Sequence, residues 1–222
     1  MKRLFLVAAA LVFGGATFAQ TTTTTPSTST TRFGLKGGVN VPKYKFVDDD
    51  DNTSTDSKST VNFNLTGYAD IPVGTYFSVQ PGISLQGKGG KISDDDNDNK
   101  LEHNVLTIEV PVNILANLPA GPGHFYLGGG PYAGFNIAGQ RKTTILGVEQ
   151  PDEDLKFGTD SDDDLKALDF GVNVLAGYQF SSGFNLGAGY GFGFTNLAPT
   201  SNSNTNGEIN NRVWSFTVGY AF

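Results

Sequence analysis

"NLGAGYGFGF", residues 185–194, separates into two lists when read in steps of two. Leu186, Ala188, Tyr190, Phe192 and Phe194 share one side; Asn185, Gly187, Gly189, Gly191 and Gly193 share the other. A period of two is the mark of a β-strand. The wet face of a soluble sheet normally carries charge, and here that face is bare glycine. Glycine weakens a strand, so its repetition needs a steric reason.

The same alternation runs outward in both directions. Phe33, Leu35, Val39 and Val41 oppose Lys36, Gly38 and Asn40; Val61, Phe63, Leu65, Ala69 and Ile71 oppose Asn62, Asn64, Thr66, Tyr68 and Asp70. Phe77, Val79, Ile83 and Leu85 oppose Ser78, Gln80, Ser84, Gln86 and Lys88. In "LTIEVPVNI", residues 106–114, the apolar set faces away from Thr107, Glu109 and Asn113. Phe125, Leu127, Ala133, Phe135 and Ile137 alternate with Tyr126, Gly128, Gly130, Tyr132, Gly134 and Asn136, and the segments 168–180 and 212–222 repeat the pattern. With the opening stretch this makes about eight strands of about ten residues or more, long enough to cross a bilayer when tilted. The polar faces hold Gly, Asn, Ser, Thr and Gln where a soluble β-sandwich would place Lys and Glu, so the sandwich alternative is disfavoured.

Connections alternate in kind. "PVGT", "LPAGPGH" and "SSG" are short turns, whereas long loops are expected near 48–59, 90–100, 140–166 and 198–209. Of the 22 acidic residues 18 fall in those loops: five, four, eight and one in order. Short turns at one rim and long polar loops at the other are the pattern of an up-and-down transmembrane barrel. Aromatic residues fall into two sets. Phe33, Tyr76, Phe77, Phe125, Tyr178, Phe180, Phe184, Tyr220 and Phe222 lie by the short turns or chain ends; Tyr44, Phe46, Phe63, Phe170, Phe192, Phe194 and Trp214 lie by the long loops. Two such belts are what membrane interfaces select. The expected fold is all-β: an eight-stranded antiparallel up-and-down transmembrane barrel whose greasy face meets lipid and whose glycine face leaves room in a narrow lumen.

Composition limits the rest. The 222 residues suit one ordinary domain, and the absence of cysteine excludes a disulfide framework, a thiolate metal site and a cysteine-anchored lipoprotein. A formal charge of −7 argues against a nucleic-acid partner. "MKRLFLVAAALVFGGATFAQ" has the basic start, apolar stretch and small-residue end of a secretory signal peptide, with cleavage expected after Ala19. Residues 20–32 read as a flexible Thr-rich leader and 33–222 as the barrel domain. An even strand count places both termini on the short-turn, periplasmic side.

Several stretches resemble the PorT-like outer-membrane β-barrel family of Bacteroidota. "LTIEVPVNI" is similar to that family's "YLEIPLLLKY" strand, "LKALDFGVNVLAGYQF" to its "DFG…GAGYEF" strand, "LGAGYGFGFTNL" to the strand after it, and "VWSFTVGYAF" to its terminal "LGYRF". Leu106–Thr107–Ile108 stand before Glu109 where the family often has Tyr-Leu. The resemblance covers about residues 33–222 and implies a small outer-membrane barrel, with some members assisting a secretion machine. Tyr220 and Phe222 resemble the terminal signal read by barrel-assembly machinery.

Candidate chemistry is sparse. Asp94, Asp96 and Asp98 in "DDDNDN" could chelate Ca²⁺ weakly, but the glycine turn and distal glutamate of an EF-hand are missing. Neither "GGGPYAG" nor "GAGYGFG" lies between a strand and a helix, so no phosphate cradle is expected. Lys36, Asp70, Lys88, Glu109 and Asp169 project to the lumen face, where buried charges need partners or water. An enzyme would use His103 as base, a nearby serine as nucleophile and Glu102 or Glu109 to orient it, yet the neighbours Glu102 and His103 point to opposite faces. No catalysis and no cofactor are expected. The expected function is that of a monomeric outer-membrane barrel with acidic extracellular loops that acts by contact, in envelope structure, adhesion or secretion-complex assistance. Its partners would be outer-membrane lipid, the assembly machinery and an envelope or secretion-complex protein. The alternative is a small porin-like pore for ions or solutes.

Overall fold

The computed structural model describes residues 30–48, 53–94, 98–160, 162–199 and 207–222. The expected signal peptide and most of the leader lie outside the described residues. Eight long strands carry the fold: β1 (Arg32–Asp48), β3 (Asn62–Val73), β4 (Phe77–Asp94), β5 (Asn99–Ala120), β6 (Gly123–Ile145), β9 (Leu168–Phe180), β10 (Phe184–Gly193) and β11 (Gly207–Ala221). Each pairs antiparallel with the next, and β1 pairs with β11 from Gly34–Ala221 to Asp48–Gly207, which closes the sheet on itself. Three short strands, β2 (Thr53–Asp56), β7 (Val148–Glu149) and β8 (Glu153–Asp154), add to the long-loop end. Closure removes every free edge, so backbone groups are satisfied without water, as a bilayer requires. Among the described residues no helix is long and apolar enough to cross a membrane; the strands do the crossing.

Burial is inverted relative to a soluble protein. Leu65, Ile83, Leu127, Phe216 and Val218 are each at least half exposed, while Asn40, Thr107 and Asp169 are fully enclosed. Water would not tolerate so continuous an apolar exterior; acyl chains require it. At the short-turn end Phe125, Tyr178 and Phe180 form an edge-to-face run with centroids 4.9 and 4.8 Å apart, and Phe184 continues it as a tilted pair with Phe180 at 5.9 Å. At the other end Tyr190 contacts Phe192 and Trp214 at 4.5 and 4.7 Å. The first described strand begins and the last ends at the short-turn end: Phe222 N–H donates to Phe33 O at 2.8 Å, and Tyr220 sits beside Leu35 in the closing seam.

The glycines have a more specific role than leaving space. Tyr126, which points inward from β6, is in register with Gly177, and Gly177 with Gly187. A Cβ built at those two glycines would meet the Tyr126 hydroxyl at 2.2 and 2.4 Å. Tyr68 lies in the same way over its partner Gly34. Gly34, Gly177 and Gly187 are therefore seats in which inward tyrosines lie flat along the wall.

Three expectations need correcting. Segments 90–100 and 140–166 are not simple loops: β4, β5 and β6 run on to Asp94, from Asn99 and to Ile145, beyond the apolar band. There the cross-strand row Lys91–Glu102–Lys142 continues the ladder with alternating charge. Tyr44 and Phe46 do not belong to a girdle. Tyr44 is in phase with inward Asn40 and is buried at the long-loop end, with Phe46 packed against the same cluster. Asn62, the first residue of β3, has its side chain over Gly87 rather than in the lumen row.

Candidate functional site

Inside the barrel a belt of amides and hydroxyls crosses β11, β1, β3 and β4. Ser215 Oγ and Asn64 Nδ2 both donate to Asn40 Oδ1 at 2.7 Å, and Asn40 Nδ2 donates to Gln86 Oε1 at 2.7 Å. Gln86 Nε2 donates to Ser84 Oγ at 2.7 Å, and the Ser84 and Thr66 hydroxyls share a bond of 2.6 Å. A period of two places these groups on one face, and closure brings residues 175 positions apart into contact. Paired in this way, buried polar atoms stiffen the wall instead of destabilising it.

Three of the five lumen charges meet. Lys88 Nζ lies 2.9 Å from both Glu109 Oε2 and Asp169 Oδ2, and all three side chains are buried. Asp169 Oδ2 also accepts Asn211 Nδ2 at 2.9 Å and Tyr132 OH at 3.4 Å; Glu109 Oε1 accepts Asn173 Nδ2 at 3.0 Å. The ammonium stands 4.4 Å from the centre of the Tyr132 ring. Lys36 and Asp70 lie elsewhere, toward the short turns. Lys36 Nζ donates to Gln80 Oε1 at 3.2 Å and sits 5.2 Å from the Tyr68 ring centre. Asp70 Oδ1 is buried with no hydrogen-bond partner among the described residues. A cavity of ≈ 80 Å³, lined in part by Lys36, Lys88, Glu109, Tyr126 and Gly187, leaves room for a few waters.

Above the charge cluster lies a second, apolar core that the alternation did not predict. Tyr44, Val105, Leu155, Leu165 and Leu197 pack together, with Phe46, Phe157 and Ile209 against them. The third long segment folds over the barrel end to supply Leu155 and Leu165. Leu155 N–H donates to Gly139 O at 2.9 Å and Lys166 N–H to Leu197 O at 2.9 Å. Arg141 ties the cap down through Asp164, and through Glu153 at 3.4 Å. In the sequence, Leu155, Phe157 and Leu165 are apolar residues among acids, and that was the signal available. Their packing is decided by the tertiary fold.

His103 faces this cap, its ring edge-on to Tyr44 at 6.2 Å and its buried Nε2 without a partner among the described residues. Burial and the nearby Arg141 cation hold its pKa below the usual histidine value of 6.5, against a smaller opposing pull from Asp164. The closed cap therefore takes up a proton less readily than an open one, and closure weakens as pH falls through the ordinary histidine range. Protease nicking within 155–165 is expected to rise on acidification to about pH 5 in wild type and to stay flat in His103→Phe. Equal nicking in the two proteins would refute this.

The remaining candidates are dispersed. Asp98 sits in a turn with φ +50° and pairs with Lys100 at 3.6 Å; the Asp94 side chain and Asp96 lie outside the described residues. Glu102 accepts from Asn104 Nδ2 at 2.8 Å on the face opposite the cap, apart from His103. His124 lies beside the short β5–β6 turn, at the other end from His103.

No curated protein matches the sequence. Among solved structures the chain is similar to the attachment invasion locus protein Ail of Yersinia pestis, with 14% identity, 86% of this chain and 98% of that one covered, and a TM-score of 0.42. Neisserial surface protein A gives 14% identity, coverage of 86% and 97%, and a TM-score of 0.40. The outer membrane enzyme PagL gives 11%, 82% and 98%, and 0.32. Residues 18–198 match the family described as "Outer membrane protein beta-barrel domain", and the chain belongs to that family.

Proposed function

We propose that the protein acts by contact at the cell surface, with its long-loop end outward and both termini in the periplasm after cleavage behind Ala19. In this reading the capped, acidic end is a binding face for an envelope, secretion-complex or external protein, and the barrel is a monomeric anchor. The observation that carries it is the cap. The third segment forms a folded apolar core over the lumen instead of leaving a mouth open. The order of the strand motifs supports a place within the PorT-like branch. A non-catalytic role is supported by the surroundings of His103: Ser57, which lies against Gly90, the cross-strand partner of His103, accepts Tyr44 N–H at 2.9 Å and donates to Lys58 O at 3.0 Å through its Oγ, so it is already engaged.

Planar-bilayer recording of the purified protein tests the reading against the pore. No reproducible unit conductance is expected, and a stable single-channel step would overturn it. In the pair Leu165→Ala and Leu197→Ala, each buried truncation removes about 2–5 kcal/mol from the cap. The loop should then become protease-sensitive while the heat-dependent gel shift of the barrel persists. Loss of that shift would mean the cap and barrel fold as one unit.

A further inference from the structure

The outer wall breaks its aliphatic pattern at one place. Leu85, Ile108 and Phe135 form one lipid-facing row in register; the next row is Gly87, Leu106 and Ala138. The β3–β4 ladder ends at Asn64–Gln86, so Gly87 lies beyond the last paired residue of that ladder, although β3 itself begins at Asn62. The β5–β6 register shifts between Leu106 and Thr107, leaving Ile137 as a bulge. Together these make a crevice of ≈ 520 Å³ with Gly87, Leu106 and Ala138 as floor and Phe63 and Ile137 as walls. Its rim is Asn62, Asn104, Gln140 and Asp154. Val105 packs inward in the cap, so its neighbours Asn104 and Leu106 face the other way. Asn62 Nδ2 donates to Asn104 Oδ1 at 3.4 Å and Asn104 Nδ2 donates to Glu102 Oε1 at 2.8 Å, which closes one side of the rim and fixes the Asn104 amide so that a headgroup hydroxyl shares its bonds. A side chain at Gly87 would collide with Asn62, since a Cβ there would be 2.0 Å from Asn62 Oδ1.

We propose that this crevice binds a membrane lipid with a neutral sugar headgroup. The occupant is a lipid because the trough continues the lipid-facing wall from the Leu85–Ile108–Phe135 row, so an acyl chain lying on that wall enters it without leaving hydrocarbon. The headgroup is a sugar because three amides and one carboxylate line the rim, and none of the lining residues is a lysine or arginine. Amides donate and accept, and the carboxylate accepts; hydroxyl groups satisfy both, whereas a phosphate would face Asp154, the Lys91 and Lys142 of the next row standing in register with Glu102 outside the crevice lining. The long-loop rim sits where the apolar wall ends, at the depth of headgroups. The assignment rests on the barrel fold and not on the contact reading above.

The test is native mass spectrometry of the full chain released from an amine-oxide detergent. Beforehand the protein is incubated with equal amounts of glucosyl-diacylglycerol and phosphatidylglycerol carrying the same acyl chains. One glucosyl lipid is expected to be retained with about tenfold preference, the effect of one or two net hydrogen bonds. Asn104→Ala with Gln140→Ala should reduce that preference to parity, and Ala138→Phe should expel both lipids. Equal retention by wild type, or a preference that survives Asn104→Ala with Gln140→Ala, would overturn the assignment. Displacement by free glucose at matched concentration would reassign the rim to a soluble sugar, and photocrosslinking at position 138 to a polypeptide would reassign it to a protein. A wild-type protein without a heat-dependent gel shift would instead undo the barrel itself.

Discussion

Replacing Lys88 with methionine is expected to cost the barrel about 3–5 kcal/mol, because Glu109 and Asp169 would then face each other in the interior without a cation. The Lys88 ammonium lies 2.9 Å from each carboxylate, and none of the three side chains reaches bulk water. Methionine keeps most of the side-chain volume and so isolates the charge from the packing. The measurement is the denaturant or temperature midpoint of the gel-mobility shift in detergent. The triple change Lys88→Met, Glu109→Gln, Asp169→Asn should return most of the loss, since the amides keep acceptor oxygens for Asn173, Asn211 and Tyr132 while removing the uncompensated charge. If Lys88→Met unfolds at the wild-type midpoint, the cluster is not an ionic tie and the account of the lumen is wrong. If the triple change is no better than the single one, the loss comes from packing.

Gly187→Ala should destabilise by about 1–3 kcal/mol although it adds one methyl group. That methyl would lie 2.4 Å from the Tyr126 hydroxyl, which donates to Leu186 O at 3.2 Å and is held over Gly177 and Gly187. The ring would have to lift from the wall and surrender the bond. Removing the hydroxyl first changes the outcome: in Tyr126→Phe the same alanine should cost much less, giving a coupling of about 1–2 kcal/mol in a double-mutant cycle. Additive effects would show that the glycine serves only to leave space, as the alternation alone suggested. The control is Gly189, where an added Cβ meets nothing nearer than Val174 O at 3.3 Å, so alanine there should be far milder.

Much of this molecule was legible in its sequence because a strand's period is two and a membrane reverses polarity. Once Leu186 and Phe192 are placed toward lipid, Asn185 and Gly187 must face the axis, and the same step sends Lys36, Lys88, Glu109 and Asp169 inward. Short turns such as "SSG" and the aromatic belts followed from equally local chemistry. The step failed where its own logic was not applied: Tyr44 is in phase with Asn40 and belongs inside, although proximity to a loop suggested a girdle. It also stopped at the ends of the apolar band, where β4, β5 and β6 continue because charges alternating across strands sustain a ladder as well as grease does.

The sequence alone determined the barrel, its strand count, which face meets lipid and where short turns and acidic segments fall, since each is a property of neighbouring residues. Tertiary structure decided which inward groups meet. Closure and register set Lys88 between Glu109 and Asp169 and left Lys36 and Asp70 outside that ion cluster; they laid Tyr126 over two glycines of other strands. They also folded Leu155 and Leu165 onto Tyr44 and Val105 to stop the lumen, and opened a crevice where the β3–β4 pairing ends and a bulge begins. Distances across a closed sheet depend on the stagger between strands, and no single strand carries that information in its own residues.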